Sequence, residues 1–312
     1  MSNNSRRQEA RERARLARIA AQRRERRVTV LLRSSIVVGV LAVLTVVTLV
    51  IMAGVKPAGP GPRNLADGII IGEGSKAVRT AALSAGEEPS ALVGVGGGSG
   101  PATIKLFVDY QCPGCGALEK ENADYLAGLV ESGAATLEYH PVAILDRMSL
   151  GARYSSRAAN AAACVADLSP DAFPAVTAAL FAAQPEEGTR GPDDAELAKT
   201  VTAVKGLQKK AEIRSCIDDQ RFGGWVKEAT DRALAQGAPG TDLDKLSQTP
   251  TVVVNGKVFD ASKGVTFQAF VASVVGDAAK ADDSAKGDSA TETPAPEAGA
   301  PEVPQTEPEQ QQ

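Results

Sequence analysis

The sequence predicts an α/β fold with an inserted helical domain, preceded by one transmembrane helix. Three observations carry this. The run Thr103-Ile104-Lys105-Leu106-Phe107-Val108 reads as a strand, a helical stretch over 117–130 follows, and a second strand-like run starts at Ala135 and ends at Pro141. Strand, helical crossover and strand imply parallel pairing with a right-handed connection. An alanine-rich, helix-favouring block over about 150–236 then separates this unit from the β-branched run Thr251-Val252-Val253-Val254. Ahead of both, residues 34–55 carry no charge, and at about 1.5 Å per residue such a helix spans about 30 Å, the thickness of a bilayer core.

The elements follow in chain order. Residues 1–33 hold eleven arginines, no lysine and only Glu9, Glu12 and Glu25 as acids. Beside an apolar segment, this reads as a basic cytoplasmic arm, with the remainder of the chain outside. The rival is a cleaved signal peptide. The charged region is long for one, the apolar stretch exceeds the usual length, and no A-x-A site follows, so a retained anchor over 34–55 is expected. Residues 56–100 read as linker and N-terminal extension: a Pro/Gly stretch over 56–64 lifting the domain off the membrane, a short strand around Ile69-Ile70-Ile71, and a glycine-rich loop over 85–100.

The ordered domain is expected over 101–277, with its core beginning near Pro101 and three or four helices in the insertion. Breaks are read at Ser169-Pro170, over 185–192 and at Gly223-Gly224. A β-branched strand, an Asn255-Gly256 turn and a further strand make a hairpin. Residues 267–275 close the domain as an amphipathic helix, and 278–312 read as a disordered tail. Beyond Arg33 there are 23 basic and 35 acidic residues, a net of −12 against −4 for the whole chain. An acidic outer portion argues against nucleic-acid binding.

The chemistry concentrates at Cys112-Pro113-Gly114-Cys115, the junction of the first strand and its helix. With Cys112 as N-cap, Pro113 takes the first helical position, where its missing N–H costs nothing. The free N–H groups of Gly114 and Cys115, with the positive end of the helix dipole, then favour a thiolate at Cys112. Cys112 becomes the attackable sulfur and Cys115 the inner, resolving one, which is thiol–disulfide exchange. A metal site is the alternative, but such sites want four ligands, whereas Cys164 and Cys216 stand alone and His140 is the sole histidine. No metal and no cofactor is implied. A purely structural disulfide across so short a loop would restrain the unfolded chain little.

The order of elements, with Phe107-Val108-Asp109-Tyr110-Gln111-Cys112-Pro113-Gly114-Cys115 and Thr249-Pro250-Thr251-Val252-Val253-Val254-Asn255-Gly256, resembles a thioredoxin-like fold with an inserted helical domain. It is similar to the DsbA-like thiol:disulfide oxidoreductase family, in its membrane-anchored actinobacterial form, over roughly 104–275. The resemblance implies a cis Thr249–Pro250 peptide lying against the disulfide, with its backbone pairing to substrate. An ordinary trans proline at a strand start is the alternative. Two departures stand out. Gly114 occupies the place where the strongest oxidants of the family carry histidine, so a milder oxidant is expected. The segment 241–248 separates the Gly237-Ala238-Pro239-Gly240 turn from the Thr-Pro pair and reads as a surface insertion, with a part in the substrate-facing rim as the alternative.

In an exported domain the even count favours a structural Cys164–Cys216 disulfide, an arrangement that related actinobacterial proteins also resemble; two buried thiols are the alternative. Tyr110 and Gln111 are expected to line the groove around Cys112. Asp109 is expected in a solvated or capping role, and His140 and Trp225 in structural ones. The resemblance implies net disulfide formation in exported client proteins with free thiols, and reoxidation by a membrane partner resembling vitamin K epoxide reductase. A membrane-anchored thiol reductase, for example in cytochrome maturation, and a non-catalytic binding module are the alternatives.

Overall fold

A computed structural model describes residues 59–84, 86–89 and 100–275, together with Gly39, Ala42, Val43 and Thr45, each helical. The chain divides into two units, 1–57 and 58–312. The expected arm, most of the anchor, most of the glycine-rich loop and the tail lie outside the described residues. Among the described residues no helix is long and apolar enough to cross a membrane.

In the second unit, six strands form one mixed sheet. They are β1 (Ile69–Gly72), β2 (Lys76–Ala77), β3 (Ala102–Val108), β4 (Ala135–Pro141), β5 (Thr251–Val254) and β6 (Lys257–Val258), in the order β2-β1-β4-β3-β5-β6. β3 and β4 pair in parallel, with Ile104 opposite Leu137 and Phe107 opposite His140. β5 runs antiparallel to β3, and β6 returns along β5. The crossover between the parallel pair is α1 (Pro113–Glu131), which the chain length between two parallel strands requires. It ends where Gly133 takes positive φ and donates to the Val130 carbonyl.

Alternation along β3 sorts its side chains to two faces. Ile104, Leu106 and Val108 join Leu126 and Val130 of α1 and Phe267 and Val271 of the closing helix α7 (267–275) in the main core. Phe107 faces the other way, packing with Val142, Ala233, Leu246 and Val253.

The insertion holds five helices: α2 (Tyr154–Leu168), α3 (Phe173–Ala182), α4 (Asp194–Thr202), α5 (Lys210–Asp218) and α6 (Gly223–Gln236). One break was not expected: Gly206 and Lys209 both take positive φ between α4 and α5. Gly223-Gly224, expected as an interruption, is instead the first turn of α6. Almost every residue of α2 is buried, and its run of alanines lets α3, α5 and α6 approach closely. α4 starts with a capping box between Asp193 and Glu196.

The domain also begins earlier than expected. Gly61, Pro62, Asn64 and Leu65 are buried. Arg63 pairs with Asp167 at 2.9 Å, and the Asn64 amide donates to the Ala166 carbonyl. β1 is buried and pairs antiparallel with β4, so this stretch is part of the fold rather than a spacer. The segment 241–248 lies on the surface as expected, with Asp242, Asp244, Lys245, Ser247 and Gln248 exposed, and is pinned at Leu246, whose N–H donates to the Ala233 carbonyl and whose side chain is buried. The turn into it requires glycine, because Gly237 has φ +61° and a Cβ there would lie 2.0 Å from the Leu243 oxygen.

Candidate active site

The redox turn is built by the exit from β3. The Asp109 carboxylate accepts the Gln111 N–H at 2.9 Å, closing an Asx turn, and the Cys112 N–H donates to the Asp109 carbonyl at 3.0 Å. Cys112 is then the N-cap of α1 in extended conformation, with Pro113 in the first turn. Its carbonyl accepts the N–H groups of Cys115 and Gly116 at 3.0 and 3.2 Å, so the helix starts at the tetrad itself.

Both thiols are free, and they are unequal. Cys112 is 7% exposed and Cys115 1%, the visible surface here being Pro113 and Gly114. The Cys112 thiol donates to the Thr249 carbonyl at 3.1 Å. Once ionised, its sulfur is stabilised first by the Cys115 thiol and then by the Thr249 side chain and the N–H groups of Cys115 and Gly114. Against the opposing effect of burial, these bring the group down to about 6. Burial, and then the neighbouring Cys112 sulfur, push Cys115 far above the ordinary thiol range. Above about pH 6 the reduced pair therefore favours one proton, on Cys115, and one negative charge, on Cys112.

The Thr249–Pro250 peptide is cis. Pro250 lies over the tetrad, its Cδ being 3.1 Å from where a Cβ on Gly114 would sit. Thr249 and Pro250 are half-buried, at the rim of the pair.

Tyr110 and Gln111 do not line a groove, contrary to expectation: both are fully enclosed. The insertion covers this side of the turn. The Tyr110 hydroxyl lies 3.1 Å from the Thr177 hydroxyl, and its ring packs on Phe181. The Gln111 amide donates to the Thr189 carbonyl at 3.4 Å, and the Ser155 hydroxyl donates to its oxygen at 3.5 Å. Asp109 is capping but not solvated. It is fully buried, and its second oxygen accepts the Leu145 N–H at 2.9 Å. Burial raises it to about 6 against the pull of these N–H groups and the Ser155 hydroxyl, with the Cys112 charge adding to the rise. Its own N–H points at Cys115 Sγ, 3.5 Å away.

Cys164 of α2 and Cys216 of α5 are joined by a disulfide in the insertion. Trp225 is buried. His140 stacks on Phe107 and lies 2.9 Å from Glu138, which also pairs with Lys105. These groups border a cavity of about 510 Å³ between the sheet and α6; neither thiol lines it. Among the described residues no cluster could hold a metal ion.

Two groups at the site were not singled out in the sequence. Glu119, one turn along α1 from Cys115, is raised by burial to about 7; its i+4 spacing from Cys115 was the available signal. Gln184, just beyond α3, donates to the carbonyls of Tyr110 and Cys112, both at 2.9 Å. Nothing local in the sequence announces a contact across 72 residues.

A thioredoxin family model matches residues 89–273. Among solved structures, the chain is 34% identical to the reduced disulfide bond oxidoreductase DsbG from Mycobacterium tuberculosis, covering 51% of this chain and 71% of that one, with a TM-score of 0.43. It is 30% identical to reduced DsbA from Mycobacterium tuberculosis, covering 62% of this chain and 85% of that one, with a TM-score of 0.46. A curated relative, the serine/threonine-protein kinase PknE of Mycobacterium tuberculosis, is 33% identical over 114 residues, 35% of this chain and 20% of that protein. The match thus spans about a fifth of the length of that relative.

Proposed function

The chain belongs to the thioredoxin family, within its DsbA-like thiol:disulfide oxidoreductases, and from that premise we propose that Cys112–Cys115 introduces disulfides into exported proteins. In the oxidised pair, a client thiolate attacks Cys112 Sγ. The Cys112–Cys115 bond breaks, a client–Cys112 disulfide forms, and the Cys115 sulfur leaves and takes up a proton. A second client thiolate then attacks the client sulfur of that mixed disulfide. The client disulfide forms, Cys112 departs as thiolate, and two electrons reside in the reduced pair.

What supports this direction is the asymmetry of the reduced pair: Cys112 Sγ sits at the start of α1 beside the Thr249 oxygen, while Cys115 is enclosed. A Cys112 thiolate stabilised at about 6 makes the dithiol form the comfortable one, so the disulfide form gives up its oxidising equivalents readily. Thr249 and Pro250, at the rim beside Cys112, offer the main chain against which an extended client segment lies. Gly114 supplies an N–H but no imidazole, which favours a donor of intermediate strength. The reduced pair needs a separate oxidant, for which a membrane protein resembling vitamin K epoxide reductase suits an anchored donor.

The location we propose is a single-pass anchor at 34–55 with the catalytic unit outside. It is supported by the arginine-rich segment before the uncharged stretch, and by the Cys164–Cys216 disulfide, which suits an oxidising compartment.

The test is the reduction potential of the pair, equilibrated against glutathione. A value of about −120 to −180 mV is expected for a disulfide donor, and one near about −270 mV would assign the chain to reductants instead. In parallel, Cys115→Ser is expected to accumulate a client mixed disulfide that Cys112→Ser does not form.

A further inference from the structure

We propose that Gln184 is a positioning residue for the exchange: its side-chain amide holds the main chain of the redox turn so that Cys112 Sγ stays placed at the start of α1, beside the Thr249 oxygen. The inference rests on the reading of Cys112–Cys115 as the exchanging pair.

The amide nitrogen of Gln184 carries two hydrogens, and both are used. One goes to the Tyr110 carbonyl and the other to the Cys112 carbonyl, each at 2.9 Å. Two acceptors on one side fix which end of the amide is nitrogen. They also bracket the turn, since Tyr110 leaves β3 and Cys112 opens α1. The Cys112 carbonyl already accepts the Cys115 and Gly116 N–H groups, so Gln184 is a third donor on this oxygen, and coming from outside the helix it opposes rotation of the Cys112–Pro113 peptide. That rotation would move the first turn of α1 relative to Cys112 Sγ. The anchor is firm at its other end, where the Gln184 N–H donates to the Phe181 carbonyl at the end of α3.

A second observation points the same way. A Cβ on Gly116 would lie 2.5 Å from Gln184 Oε1 and 3.3 Å from its Cδ. The amide occupies the space that any other residue at 116 would fill. Gly116 lies within α1, where alanine is otherwise favoured. The glycine and the glutamine therefore form a matched pair, through which the insertion grips the redox turn.

The experiment titrates the Cys112 thiolate by ultraviolet absorbance in the full-length protein and measures its equilibrium with glutathione. The parent is compared with Gln184→Met, Gly116→Ala and the double variant. Methionine keeps the bulk of Gln184 and removes both donors. The expected result is an upward shift of the midpoint by roughly 0.5–1 pH unit, with a fall of roughly three- to tenfold in oxidising equilibrium constant, the effect of about one net hydrogen bond. Gly116→Ala, which favours the helix and displaces the amide, is expected to do the same, and the double variant no more than either alone. A Gln184→Met protein that titrates as the parent does would assign the residue to packing and overturn the proposal. So would shifts that simply add. An inactive parent would instead sink the exchange reading, and the titration separates the two failures.

Discussion

The sulfur of Cys112 lies 3.1 Å from the main-chain oxygen of Thr249, a residue 137 positions further along the chain. In the thiol form that oxygen accepts the Cys112 proton. On ionisation it loses its donor while the sulfur gains others, so the protonation state of one residue alters the hydrogen bonding of the other.

Cys112 should titrate near pH 6, well below an ordinary thiol. Alkylation of the reduced protein by iodoacetamide is expected to reach half its limiting rate there, with Cys115 protected. The sign of the linked stability follows. A folded-state value below the unfolded one stabilises the reduced form at higher pH, and the gain is lost as pH falls through about 6. At pH 7 the gain is on the order of 1–2 kcal/mol. Denaturant melts of reduced and oxidised protein at pH 5 and 7 measure it. A gap between the two forms that does not widen between these pH values would contradict the charge asymmetry.

Glu119 works in the opposite sense. Burial raises its folded-state value to about 7, so its contribution is present below the unfolded carboxylate range and is lost as pH rises through about 7. In the oxidised protein, where Cys112 does not titrate, stability is expected to decline between about pH 4.5 and 7. Glu119→Gln should flatten that decline and be the more stable protein at pH 8, by on the order of 2 kcal/mol. Equal slopes for variant and parent would show that this carboxyl is hydrated.

The legibility of the sequence differs between its parts for a physical reason. The tetrad was readable because proline at the first helical position and free N–H groups beside a cysteine are local chemistry, set within five residues. The β5–β6 hairpin was readable on the same ground, from Asn255-Gly256. Tyr110 and Gln111 were misplaced because what surrounds them, Thr177, Phe181 and Thr189, comes from an insertion more than 60 residues away. The docking of Arg63 and Asn64 depends on Asp167 and Ala166 in the same manner. The break between α4 and α5 has no proline, and Gly206 alone did not separate two helices in a block of helix formers.

Gly237 should tolerate no side chain. A Cβ would meet the Leu243 oxygen at 2.0 Å, and the residue has φ +61°. Gly237→Ala is expected to cost about 2–4 kcal/mol in denaturant unfolding, the range of steric and backbone conflicts combined. The thiol chemistry of the folded fraction should be unaltered, because the turn lies against Phe107 and Ala233 rather than against the tetrad. A cost below about 0.5 kcal/mol, the size of an ordinary surface substitution, would mean that the 237–246 turn rearranges freely.

Replacing Cys164 and Cys216 together by alanine is expected to lower stability by about 2–4 kcal/mol, from the loop the bond closes. The glutathione equilibrium of Cys112–Cys115 should stay where it was. A matching shift in that equilibrium would reveal that the covalent tie in the insertion reaches the redox turn.

The Cys164–Cys216 bond gives the molecule a history. Its sulfurs are enclosed among α2, α5 and their neighbours, so oxidation has to occur before that part of the chain closes. The insertion therefore sets an order of events in making the protein, with the Cys164–Cys216 bond preceding final packing of the helices around it.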